Sequence, residues 1–242
     1  MLTRMLLCAS MCAIMALPVR ADEKPNSAAT PSQKDSNRHQ GFLKDIKKMD
    51  GKIDVVFLGD SITDGWRGKA GAEIWKEHFG PLHPINLGIG GDRTQHVLWR
   101  IQHGELEGYK PKAFVIMIGT NNMGSNSEQE IADGNKAIID EINKQHPDAK
   151  ILLLGIFPRN VNNRDKSDGK PDEAIRQKVK RTNELLAKLA GKNVKYLDIG
   201  DKFLQPDGTL TREIMPDLLH LSQKGYTIWA EAIEKELKNM VK

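Results

Sequence analysis

Apolar residues fall along this chain in two alternating rhythms. Short runs rich in β-branched and aromatic side chains occur at Ile53-Asp54-Val55-Val56-Phe57-Leu58, Pro84-Ile85-Asn86-Leu87, Ala113 to Ile118, Ile151 to Leu154 and Val194 to Leu197. Each reads as a buried strand. Between them apolar positions recur at helical spacing: Phe42, Leu43, Ile46 and Met49; Ile74, Trp75 and Phe79; Val97, Leu98 and Ile101; Ile131, Ala132, Ile138, Ile139 and Ile142; Ile175, Val179, Leu186 and Leu189; and Tyr226, Trp229, Ile233, Leu237 and Met240. Strands alternating with helices predict an α/β fold, a three-layer α/β/α sandwich around a five-stranded parallel sheet with right-handed crossovers. In such sheets the crevice that binds ligands lies beyond the carboxyl ends of the strands. Ser61, Gly91 and Asn121 each follow a different strand, so a parallel sheet brings all three to one rim.

The ends of the chain read differently. Arg4, the apolar run Met5 to Ala16 and the small residues around Val19-Arg20-Ala21 have the form of a secretory signal peptide cut after Ala21. The run is too short to span a membrane, and no later run is long enough, so an exported protein without a stable membrane anchor is expected, in periplasm or medium. Residues 22–40 are polar, with two prolines and no aromatic residue, and predict a flexible tether. Residues 41–242 form the domain, with a charged loop between Pro158 and Pro171.

Composition narrows the chemistry. Both cysteines, Cys8 and Cys12, fall in the leader, so the exported chain is expected to lack disulfides, thiolate metal sites and cysteine nucleophiles. Losing Arg4 and Arg20 with the leader takes the formal charge from +4 to +2, which gives no reason to expect nucleic acid as a partner. No histidine cluster has metal-ligand spacing, and neither a metal nor a cofactor is expected. A monomer or homodimer is expected.

The serine chemistry starts at Gly59-Asp60-Ser61, where a strand gives way to a helix. A serine there exposes its hydroxyl beside backbone N–H groups that lack helical partners, although the same position suits a simple helix cap. Asp217 and His220 are three residues apart, so one turn brings carboxylate and imidazole to the same side, leaving Nε2 to face Ser61. Asp92 and His96, four apart at a helix start, are a rival pair and read as structural. Oxyanion donors would be the backbone N–H groups of Ser61 and Gly91 and the amide of Asn121. Taken singly, Gly90-Gly91 is also a turn and Asn121-Asn122 also a cap.

Taken together, Gly59-Asp60-Ser61, Gly90-Gly91-Asp92, Gly119-Thr120-Asn121-Asn122 and Asp217-x-x-His220, in this order, resemble the SGNH (GDSL) hydrolases. Glu73-Ile74-Trp75, Pro81-Leu82-His83, Asn86 to Asp92, Thr94 to Arg100 and Gly104 to Glu107 further resemble the catalytic subunits of intracellular platelet-activating factor acetylhydrolase. The resemblance implies a flavodoxin-like fold, Ser61 as nucleophile, His220 as base, Asp217 as its orienter, and an oxyanion hole of Ser61, Gly91 and Asn121. Asp60, Trp66, Asn122 and Arg159 are candidate substrate contacts, though Trp66, Trp75, Trp99 and Trp229 also suit core or pocket wall. The mammalian subunits are cytosolic, whereas this chain starts with an export-like leader, and residues 62–72 are longer than the family's segment. The expected function is an exported serine esterase for small acyl, mainly acetyl, esters, with acetylated carbohydrate as a substrate class. The alternatives are a lipid-directed esterase, lysophospholipase or thioesterase, or a glycan-binding module without turnover.

Overall fold

The computed structural model describes residues 25–160 and 170–242. Five strands, β1 (Val55–Gly59), β2 (Pro84–Gly88), β3 (Ala113–Met117), β4 (Lys150–Leu154) and β5 (Val194–Leu197), pair in parallel in the order β2-β1-β3-β4-β5. The order turns back at β1, so the gap beyond β1 and β3 is the topological switch point where such sheets take ligands. Gly59 at the end of β1 stands level with Gly88 of β2 and Met117 of β3, so the three central strands finish at the same height.

Strand periodicity sends alternate side chains to opposite faces. Val56, Leu58, Phe114, Ile116, Ile151 and Leu153 join one core cluster with α1 (Ser36–Lys48), α4 (Thr94–Arg100), α5 (Glu128–Gln145) and α6 (Glu173–Ala187). Val55, Phe57, Val115, Met117, Leu152 and Leu154 join the other, with α3 (Ala72–His78) and α7 (Gln223–Met240). The remaining helix, α2 (Ser61–Asp64), is a single turn on the end of β1. The expected three-layer sandwich and its five parallel strands are therefore observed.

The expected tether is not observed over residues 25–40. Ala28 is fully buried, and its carbonyl accepts from Thr94 Oγ1 at 2.7 Å. Asn26 Nδ2 donates to Glu130 O and Asp133 Oδ2, Asn126 Nδ2 donates to Ser27 Oγ, and Ser32 N–H donates to Gln95 O. The domain therefore begins earlier than residue 41, because polar side chains and backbone, rather than apolar area, bind this arm to α4 and α5. α1 starts at Ser36, capped by the Asp35 carboxylate on Arg38 N–H at 2.9 Å. The signal-peptide reading of residues 1–21 and most of the loop from 158 to 171 lie outside the described residues.

Candidate active site

Ser61 is the first residue of α2, directly beyond β1. That helix sits so close to the sheet that a Cβ on Gly59 would fall 2.6 Å from Met117 O and 2.0 Å from Thr63 Oγ1, so only glycine lets the strand turn upward there. Asp60 caps the turn through Ile62 N–H at 2.9 Å. From the other side Tyr226 of α7 donates its hydroxyl to Ile62 O at 2.8 Å. Ser61 is thus held from below by the strand and laterally by the last helix, with its side chain half-buried at the rim.

Ser61 Oγ lies 2.9 Å from His220 Nε2, and His220 Nδ1 lies 2.6 Å from Asp217 Oδ2. Asp217 and His220 come to the same side, as their spacing suggested. The chain around them is a loop in which Asp217 Oδ1 accepts the N–H groups of Leu219, at 3.1 Å, and His220, at 2.7 Å. The carboxylate therefore orients the imidazole and folds the backbone carrying it. Leu218, between the two, is fully buried with φ of +62°, a left-handed conformation that costs a branched side chain of order 1–3 kcal/mol. Its carbonyl accepts from Asn160 N–H at 3.1 Å, a support from the β4 loop that no motif announced. Burial alone would raise the Asp217 carboxyl; the bonds from the His220 ring and from two backbone N–H groups outweigh it and hold the group below its ordinary value.

The third wall is the turn Ile89 to Asp92 after β2. Gly91 adopts φ of +72°, and Asp92 N–H closes the turn on Ile89 O at 3.1 Å. Asn121, after β3, donates Nδ2 to Asp92 O at 2.8 Å, so the amide and the glycine turn are fixed to one another. The structure brings Ser61, Gly91, Asn121, Asp217 and His220 to the rim together, across the switch point between β1 and β3. A hydroxyl bonded to an imidazole that is itself bonded to a carboxylate can carry out acyl transfer.

Other candidates are placed elsewhere. Asn122 is fully buried and bonds Thr94 N–H, Gln95 Oε1 and Asn126 Oδ1, tying the start of α4 to the loop between β3 and α5. Trp66 is 1% exposed and packs on Trp75, Phe79, Tyr226 and Trp229 in the core. Asp60 is fully buried beneath Ser61, where desolvation, partly offset by the Ile62 N–H, pushes its carboxyl up to about 7. All three are buried rather than displayed at the rim. Arg159 does lie at the rim, donating to Thr120 O and Oγ1; burial lowers its guanidinium against the opposing pull of Asp60 and Asp217.

Asp92 and His96 do not form a working pair. His96 Nδ1 accepts from Arg93 N–H at 3.0 Å and stands 3.7 Å from Asp92. The Asp92 carboxylate faces Arg100 at 3.0 Å and Lys34 at 3.4 Å. Arg100 continues inward to Glu105, which meets His39 Nδ1 at 2.9 Å. This buried chain of charges beneath the glycine turn was missed by sequence reading; its members are scattered over α1, α4 and the segment after α4.

The model of the GDSL-like lipase/acylhydrolase family matches residues 57–228, from β1 into α7. The chain is 40% identical over 228 residues to platelet-activating factor acetylhydrolase IB subunit alpha1 of Homo sapiens, covering 91% of this chain and 92% of the human one. The chain belongs to the GDSL-like lipase/acylhydrolase family. It is also 43% identical over 194 residues to the alpha2 subunit of Rattus norvegicus, covering 78% and 77% of the two chains. Among solved structures, a GDSL-like lipase from Bacteroides thetaiotaomicron superposes with a TM-score of 0.64 at 17% identity, over 83% of this chain and 97% of that one. A carbohydrate acetylesterase from Sinorhizobium meliloti gives 0.60 at 20% identity, over 78% and 100%. At that identity the two structures speak for the fold alone. As a member of this family of acylhydrolases, the protein is a carboxylic ester hydrolase.

Proposed function

We propose that this GDSL hydrolase cleaves small acyl esters, acetyl above all, by a two-step acyl transfer on Ser61. His220 Nε2 takes the Ser61 proton as Oγ attacks the ester carbonyl, and Asp217 stabilises the imidazolium that results. The oxyanion is met by the N–H groups of Ser61 and Gly91 and by Asn121 Nδ2. His220 then passes the proton to the departing alcohol, and a water attacks the acyl-enzyme by the same path in reverse. Arg159 is the remaining candidate for contact with the substrate. The observation that carries this reading is the relay from Ser61 Oγ through His220 to Asp217, at 2.9 and 2.6 Å.

For the alcohol portion the reading is an O-acetylated carbohydrate met after export: the leader-like residues 1–21 support the destination, and the partial exposure of Ser61 and His220 is compatible with a bulky alcohol. A second reading, a lipid-directed esterase, is favoured by the 40% identity over 91% of the chain to subunits named for platelet-activating factor. Initial rates on p-nitrophenyl acetate, butyrate and octanoate separate the two, since a small acyl site loses rate steadily with chain length. Acetate release from acetylated glycans and from acetylated ether phospholipids then names the alcohol. Faster turnover of octanoate than acetate would overturn the acetyl assignment. Equal background rates for wild type and Ser61→Ala would overturn the mechanism and leave a binding module.

A further inference from the structure

The arm ahead of α1 delivers a cation to the wall of the site. Lys34 extends over the Ile89 to Asp92 turn, where its Nζ donates to Gly90 O and stands 3.4 Å from Asp92 Oδ1. A Cβ on Gly91 would lie 3.2 Å from the same nitrogen. The backbone on either side is tied down, by Ser32 N–H on Gln95 O at 3.1 Å and by the Asp35 cap of α1. This is therefore not a lysine free to wander over the surface. Asp92 holds Arg100 as well, at 3.0 Å, and Arg100 is shared with Glu105, so Lys34 adds a second cation at the turn.

The carbonyl of Gly90 and the N–H of Gly91 belong to one peptide group, and amide resonance couples them. A cation bonded to the oxygen draws electron density from the nitrogen and makes the N–H a stronger donor, as happens along chains of hydrogen bonds. We propose that Lys34 is a positioning residue for ester hydrolysis, acting through the Gly90–Gly91 peptide to aim and strengthen the N–H that meets the oxyanion. The inference rests on the reading of Gly91 as an oxyanion donor. Because full negative charge on the substrate oxygen exists only in the transition state, Lys34 acts on kcat rather than on ground-state binding.

The test is steady-state hydrolysis of p-nitrophenyl acetate by the full chain, comparing wild type, Lys34→Met and Lys34→Arg, with Ser61→Ala and Asn121→Ala as references and melting temperatures for all. Lys34→Met is expected to lose on the order of 10-fold in kcat, less than the roughly 10²–10³ for deleting a donor outright. Its KM should stay within about twofold, its melting temperature within a few degrees, and Lys34→Arg should recover most of the rate. Full kcat in Lys34→Met while Ser61→Ala and Asn121→Ala fail would overturn this inference and leave the serine mechanism standing. A loss that Lys34→Arg does not repair, or that comes with a collapse in melting temperature, would overturn it too, since the cation would not be what matters. Full activity in Ser61→Ala would instead sink the mechanism on which it rests.

Discussion

Two acid–imidazole pairs stand beside the same glycine turn, and only one is arranged for proton transfer. In the first, Asp217 takes the Nδ1 side of His220 at 2.6 Å and leaves Nε2 on the Ser61 hydroxyl. In the second, the Nδ1 of His96 is occupied by Arg93 N–H, and Asp92 has turned to Arg100 and Lys34. The acid and ring have comparable spacing in both, three residues and four. What separates them is the competition for the acid: Asp217 meets only backbone N–H groups besides its histidine among the bonds described, whereas Asp92 is claimed by two cations. At Asp92 the guanidinium and the ammonium take the oxygens that would otherwise turn to the imidazole, as charge-assisted bonds outcompete a bond to a neutral ring.

The sharpest way to break this contrast is to remove each ring. His220→Ala is expected to cut kcat by more than about 10⁴-fold, as loss of the base does in serine hydrolases, while His96→Ala stays within about twofold; rates on p-nitrophenyl acetate decide it, and comparable losses would erase the distinction. Next come the acids. Asp217→Asn should lower kcat by about 10³–10⁴-fold with little change in KM, because the amide cannot stabilise the imidazolium. Asp92→Asn should instead act on stability, by about 1–3 kcal/mol in denaturant unfolding, since the buried Arg100 keeps Glu105 but loses one of its two carboxylate partners.

The smallest effect is a slope with pH. Burial first, then the charges of Lys34, Arg93 and Arg100, lower the His96 imidazole to about 4. The unfolded chain binds a proton there near the ordinary value of about 6.5. Between those values the unfolded state therefore holds more protons than the native one, so the stability His96 contributes is present above about 6.5 and lost as pH falls through about 4. Melting temperatures of wild type and His96→Asn should converge toward acid, and parallel curves would refute the assignment.

Much of the site could be read from residues alone. The five strands announced themselves by short β-branched runs, and strand ends carried Ser61, Gly91 and Asn121 to one place. Harder to see was what lies one layer beneath. Asn122 and Asp60 are polar and neighbour the site in sequence, but both point inward and spend their bonding on the loops that hold it. Trp66 follows the nucleophile by five positions, yet its ring fills the core, because a one-turn helix on a strand end has to bury something. Residues 22–40 have the composition of a tether, since hydropathy weighs side chains and ignores the carbonyls and amides that fasten the arm from residue 25 on. The three-residue spacing of Asp217 and His220 places them on the same side of a turn, but it does not reveal that the turn is a loop folded around the carboxylate.

The reacting hydroxyl and imidazole are separated by 159 positions along the polypeptide. A ribosome therefore releases the nucleophile long before its base, and α7, whose Tyr226 braces the serine turn, emerges later still. Until that final helix docks, a nascent chain carries the serine without the partner that activates it, so hydrolytic competence arrives only with completion of the fold.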